Sequence, residues 1–308
     1  MTASGEWNDS AIIARGATKA AAFARSPGLK FFLTGALTLM LAIPLWIVLA
    51  LTSDRENRRA EVTWSVAREW GGEQRIYGPM LVVPFHVRNV GGEAASADSL
   101  LRYAAILPET FDVVATSEIE ERSVSIYTVP AFSSQVAIKG RFGAVDQRVF
   151  GSDVETIDWD RAFIAAGISD LTGVEDAALR ANGGEIAFEP GLLADPALQT
   201  TNESGQPFEG IHAPLTGVPQ SAGFDFTLEL RVRGTGSLMI APVGRQSDVR
   251  MTSNWQHPNF TVGMLPSERT IDESGFGAVW RVPYLTRTTP QSWIIDRSGP
   301  VRFGGQFL

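Results

Sequence analysis

This sequence contains no cysteine and only three histidines. The first absence excludes disulfides, thiolate metal sites and cysteine nucleophiles. The histidines, His86, His212 and His257, stand in separate segments, without the His-x-His or His-Glu-x-x-His spacing that presents two metal ligands together. There is no G-x-S-x-G elbow, no S-x-x-K pair and no P-loop, and Gly234-Thr235-Gly236 lacks the strand, helix and third glycine of a dinucleotide loop. No metal, cofactor or catalytic residue is expected from these patterns. Positive charge is also in short supply: 26 Lys and Arg face 34 Asp and Glu, a net charge of −8. Nucleic-acid binding needs a concentrated basic footprint, so a polyanionic partner is not expected.

What the chain does have is one long apolar run. Residues 31–51, FFLTGALTLMLAIPLWIVLAL, carry no ionisable side chain. As a helix rising about 1.5 Å per residue they span about 31 Å, the thickness of a bilayer's hydrocarbon core. Pro44 removes one backbone donor there, which membrane helices accommodate. A cleaved secretory signal has a shorter apolar region and small residues before its cut site. This run is too long, and 30 residues precede it, so a retained transmembrane helix over 31–52 is expected. Four basic and two acidic residues lie before it, and 22 basic and 32 acidic residues follow. The basic bias, with a large region after the span, predicts a cytoplasmic tail over 1–30 and an exported remainder. The alanine-rich stretch 11–25 reads as an interfacial helix or a loose tail. Residues 54–70 have helical spacing of Val62, Val66 and Trp70, so 53–72 reads as a helical stalk ended by Gly71-Gly72.

After Gly72 the period changes to two. In 224–233, FDFTLELRVR, apolar and polar residues alternate strictly, as in a strand with one face in a core and one in water. Further strands are expected at 80–87, 102–107, 123–129, 134–142, 185–188, 237–243, 248–255 and 278–284. Asn182-Gly183-Gly184 has hairpin-turn composition, Gly234-Thr235-Gly236 that of a tight turn or bulge. Residues 159–166 read as one or two helical turns, and 190–220 as a long surface connection. The fold class is mainly β: one N-terminal transmembrane α-helix carrying a large antiparallel, β-sandwich-like domain over 73–308.

Chemistry is sparse in this domain. Asp158-Trp159-Asp160 sets two carboxylates about an aromatic ring, a composition found in sugar clefts, but also in exposed acidic turns. The most distinctive cluster is Asn254-Trp255-Gln256-His257-Pro258-Asn259-Phe260, followed by Leu265-Pro266 and Ser274-Gly275-Phe276-Gly277-Ala278-Val279-Trp280. With Tyr77-Gly78-Pro79, Leu107-Pro108-Glu109, residues 122–127 (RSVSIY) and Gly210-x-His212 in the same order, this run resembles the inner-membrane CreD family, the cell envelope integrity proteins. The resemblance covers most of residues 30–285.

The resemblance implies a bacterial inner-membrane protein with one N-terminal span, a large periplasmic β domain and several C-terminal spans. It also implies an association with envelope integrity and stress response. No second hydrophobic run precedes Leu308, so the chain reads as a member lacking the C-terminal bundle. The Asn254 cluster has two readings: aromatic packing about a His257-Pro258 turn, or a cleft in which Asn254, Trp255, His257 and Trp280 meet a ligand. The expected function is interaction rather than catalysis, with other inner-membrane or envelope proteins, or envelope glycans, as partners. The alternative is a periplasmic carbohydrate-binding or carbohydrate-active domain.

Overall fold

The computed structural model describes residues 27–88, 101–124, 127–193, 200–202, 209–215, 222–260, 263–287, 289–295 and 301–303. Two units are distinguished, Met1–Glu61 and Val62–Leu308. Helix α1 (Pro27–Trp70) begins in the first and ends in the second. Within it, Lys30–Glu56 is long and apolar enough to cross a membrane. Its large side chains, from Phe31 to Leu51, are exposed all round, as a lipid-facing surface requires. Its hydroxyls are satisfied within the helix: Thr34, Thr38 and Thr52 each donate to the carbonyl four residues back at 2.8 Å. That suits a medium without water. The expected tail over 1–26 lies outside the described residues.

The second unit is built from β1 (Gln74–Val87), β2 (Leu101–Ile106), β3 (Thr110–Val124), β4 (Tyr127–Phe142), β5 (Val154–Ile157), β6 (Phe163–Ile168), β7 (Val174–Ala181), β8 (Gly184–Ile186), β9 (Glu189–Pro190), β10 (Thr200–Asn202), β11 (Gly210–Pro214), β12 (Phe224–Thr235), β13 (Leu238–Ile240), β14 (Gln246–Ser253), β15 (Glu268–Asp272), β16 (Gly275–Pro283), β17 (Ser292–Ile295) and β18 (Val301–Phe303). One eight-stranded sheet runs β17-β2-β1-β6-β11-β9, with β5 and β13 also pairing β1. The other runs β15-β16-β14-β3-β4-β12-β7-β8. Neighbours are antiparallel except β14 with β3 and β13 with β1. β10 and β18 form a small parallel pair.

The fold is mainly β, in two large sheets sharing one core. In the second sheet Phe111, Val113 and Ala115 point inward while Asp112, Val114 and Thr116 face solvent, and β12 repeats the alternation. The first sheet is covered on both faces: every residue of β6, FIAAGI, is buried. The helical turns expected at 159–166 are therefore corrected. Residues Trp159–Arg161 form one 3-10 turn and β6 follows, because a strand buried on both faces loses the alternation that marks it. The single strand expected at 123–129 is in fact the end of β3 and the start of β4, which pair as far as Val124 with Tyr127. The 190–220 connection contains β11, which pairs with β6 in the first sheet. The Asn182-Gly183 turn is a two-residue hairpin with φ of 49° and 81°, joining β7 to β8, as its composition predicts.

The end of α1 is tied into the β unit by close backbone approach. Gly71, at φ 109°, lies where a Cβ would stand 2.7 Å from the Arg233 carbonyl and 2.9 Å from Gly173 Cα. The Gly72 amide donates to Asp170 Oδ2 at 2.7 Å, and its carbonyl accepts from the Thr235 amide at 3.1 Å. Gln74 is fully buried, and its Nε2 donates to the carbonyls of Asp170 and Arg233. The Trp70 ring lies against the guanidinium groups of Arg122 (3.7 Å) and Arg233 (4.7 Å).

Candidate functional site

The parallel ladder of β14 on β3 ends at Ser253 opposite Ser117. The next side chain continues it. Asn254 Oδ1 accepts from the Ile119 amide at 2.8 Å, and its Nδ2 donates to the Ile119 carbonyl at 3.2 Å. A side-chain amide here takes the place of a peptide group. Asn254→Ala is expected to cost about 1–2 kcal/mol, two hydrogen bonds at a solvent-exposed position. The check is faster hydrogen exchange at the Ile119 amide, with a Tm lowered by a few degrees.

Beyond Asn254 the chain leaves the sheet and forms a wall. The Trp255 amide donates to Ser253 Oγ at 3.2 Å, and its Nε1 donates to the His257 carbonyl at 2.8 Å. The Trp255 and His257 rings meet edge to face at 6.2 Å. Phe260 pins the far end of the loop, edge-on to Phe276 (5.5 Å) and Trp280 (5.9 Å). The Trp280 Nε1 donates to the Met264 carbonyl at 2.8 Å. At the adjoining β15–β16 turn, Asp272 Oδ1 accepts from the Ser274 hydroxyl and amide. These bonds, the hydroxyl's first, hold the Asp272 carboxyl below the usual carboxylate range.

Between this loop and strands β3, β4 and β13 lies an open groove of about 360 Å³. Trp255, His257 and Trp280 line it, with Ile119, Phe132 and Leu238 opposite. Asn254 is not a lining residue; its amide is spent on Ile119. Trp280 is only 3% exposed and forms wall, whereas Trp255 is half-buried and His257 exposed. No Asp, Glu, Lys or Arg contributes to the lining, in a chain 19% charged. Met239, Met251 and Met264 do contribute, half of the chain's six methionines. Unbranched thioethers reshape around an apolar guest. Ser237 adds a buried hydroxyl without a hydrogen-bond partner among the described residues.

The other distinctive motifs are occupied in holding the fold. Gln291 Nε2 donates to the carbonyls of Leu107 (2.6 Å) and Pro108 (3.1 Å). Tyr77 is buried beside Gly78 at φ 103°, and burial pushes its phenol pKa up. A Cβ on Gly210 would lie 2.5 Å from the Ala166 carbonyl, and His212 Nδ1 is 2.8 Å from the Gly191 carbonyl oxygen. Asp158 ends on His86 Nε2 at 3.3 Å and on Arg161 at 3.9 Å, while Asp160 is exposed. Trp159 packs edge-on to Phe150 at 6.0 Å. The aromatic cluster at 255–280 was visible in sequence. Met251 and Met264 adjoin or lie within that stretch, whereas Ile119 and Phe132 come from distant segments, and only strand pairing brings them to it.

Comparison with known proteins gives one family. The profile described as "Inner membrane protein CreD" matches residues 26–303. The inner membrane protein CreD of Escherichia coli (strain K12) is 29% identical over 249 residues, 79% of this chain and 52% of that protein. The chain thus spans about half the length of the curated relative it matches.

Proposed function

This chain belongs to the family of the inner membrane protein CreD, and we propose that within the family it is an inner-membrane-anchored binding protein acting in envelope integrity and stress response. The helix over Lys30–Glu56 anchors it, the N-terminal residues are cytoplasmic, and the β unit is periplasmic. The β unit acts by interaction with another envelope component at the Trp255 groove, not by catalysis. The observation that carries this reading is the groove itself: an uncharged, aromatic- and methionine-lined cavity in an acidic protein. Such a lining holds an apolar guest and repels an ionic one. A glycan is less favoured, because sugar hydroxyls need more polar partners than this lining offers, and Asp158 is engaged by His86 and Arg161.

The sidedness is tested with one cysteine, since the chain has none of its own. Leu285 is 91% exposed, so Leu285→Cys should leave the fold intact. A maleimide that crosses the outer but not the inner membrane is expected to label it in intact cells. Labelling only after lysis would put the β unit in the cytoplasm and remove the envelope reading.

A further inference from the structure

The groove lies beside an unfinished strand edge. β3 and β4 stay paired to Val124 and Tyr127, whereas β14 leaves β3 at Ser117 and β12 leaves β4 at Ala131. Both backbone groups of Ile119 point away from β4, toward Asn254. By the period of two, those of Glu121 and Ser123 point the same way. Among the described residues no strand pairs with them there. The edge is acidic: Glu118, Glu120 and Glu121 are exposed, and only Glu120 forms an ion pair among the described residues, with Arg122 at 3.5 Å. Glu121 shares its sheet face with Ile119, which lines the groove.

We infer that this end of the β unit binds an extended peptide segment by strand addition at Glu121 and Ser123. The segment carries an apolar side chain two residues from a lysine or arginine. Alternate peptide backbone groups pair with the two free positions, a recognised mode of peptide capture. On the face shared with the groove, the basic side chain sits opposite Glu121 as a cross-strand ion pair. The next residue on that face reaches past Ile119 into the cavity, where Trp255 and the methionines surround it. The inference rests on the groove being the binding site, and it adds the partner's chemistry: an unpaired, basic and apolar stretch of another envelope protein. A lipid chain would use the cavity but not the edge.

The test is fluorescence anisotropy of a labelled octapeptide, Thr-Phe-Thr-Lys-Thr-Phe-Thr-Lys, added to the full chain in phosphatidylcholine nanodiscs, with empty nanodiscs as the blank. Saturable binding is expected. Two further peptides are N-methylated at all odd or all even positions. One set should bind at least tenfold more weakly and the other nearly as well, because an added strand turns only alternate amides to its neighbour. Glu121→Lys and Trp255→Ala should each weaken the parent peptide at least fivefold. Equal binding by both methylated peptides, with Trp255→Ala still weakening it, would overturn strand addition and leave the groove standing. Indifference to Trp255→Ala would overturn the groove as well. A labelled dodecanoyl chain that binds where the peptide does not would assign the cavity to lipid and sink the inference.

Discussion

Replacing Gly275 by alanine is expected to lower the Tm of the β unit by about 4–16 °C. Gly275 opens β16 at φ 133°, a backbone conformation that residues with a Cβ rarely adopt. An added Cβ would overlap the Ser253 carbonyl oxygen and stand 2.7 Å from Asn254 Cα. Both obstacles are backbone, so no rotamer change relieves them. Strain and forced separation of β14 from β16 together cost about 2–4 kcal/mol, and each kcal/mol moves the Tm of a unit this size by about 2–4 °C. The damage falls where Ser253 pairs with Phe276 and where Asn254 clamps Ile119, so peptide capture should fail with it. Differential scanning fluorimetry of the full chain in detergent measures the effect. A Tm unchanged within 1 °C would mean that this close approach does not exist.

Gly275 also shows what a sequence reveals and what it hides. The run Ser274-Gly275-Phe276-Gly277 stood out as a motif, but nothing in it says that the glycine is there for a neighbouring strand's carbonyl. β12 could be read residue by residue, because water on one side of the sheet enforces alternation. β6 could not, because burial on both faces erases it. The apolar stretch of α1 was legible because composition alone decides whether a helix can sit in hydrocarbon. The groove was half legible. Trp255, His257 and Trp280 fall within one stretch of chain, and Phe276 keeps step with Trp280 along β16. Ile119 and Phe132 face each other across β3 and β4, and they reach the same place only through the parallel pairing of β14 with β3, which no local pattern encodes. The uncharged lining is a property of the assembled surface, since the strand ends around it are rich in glutamate.

The two tryptophans of the groove are expected to separate stability from binding. Trp280→Ala should cost about 3–5 kcal/mol, the range for deleting a buried large aromatic side chain. Trp280 is 3% exposed, packs against Phe260, and satisfies the Met264 carbonyl. Its loss takes away both the ring that holds Phe260, at the far end of the loop that walls the groove, and the donor to Met264. Trp280→Phe should recover part of that cost by restoring the ring contact, leaving the Met264 carbonyl to water. Trp255→Ala should cost only about 1 kcal/mol, because the ring is half-buried and its one hydrogen bond, to the His257 carbonyl, is local. In thermal unfolding of the full chain, Trp280→Ala should therefore drop the Tm by about 6–20 °C and Trp255→Ala by a few degrees at most, while the latter alone loses peptide affinity from an intact fold. Equal destabilisation by the two alanine variants would make Trp255 a packing residue and return the cluster to a purely structural role.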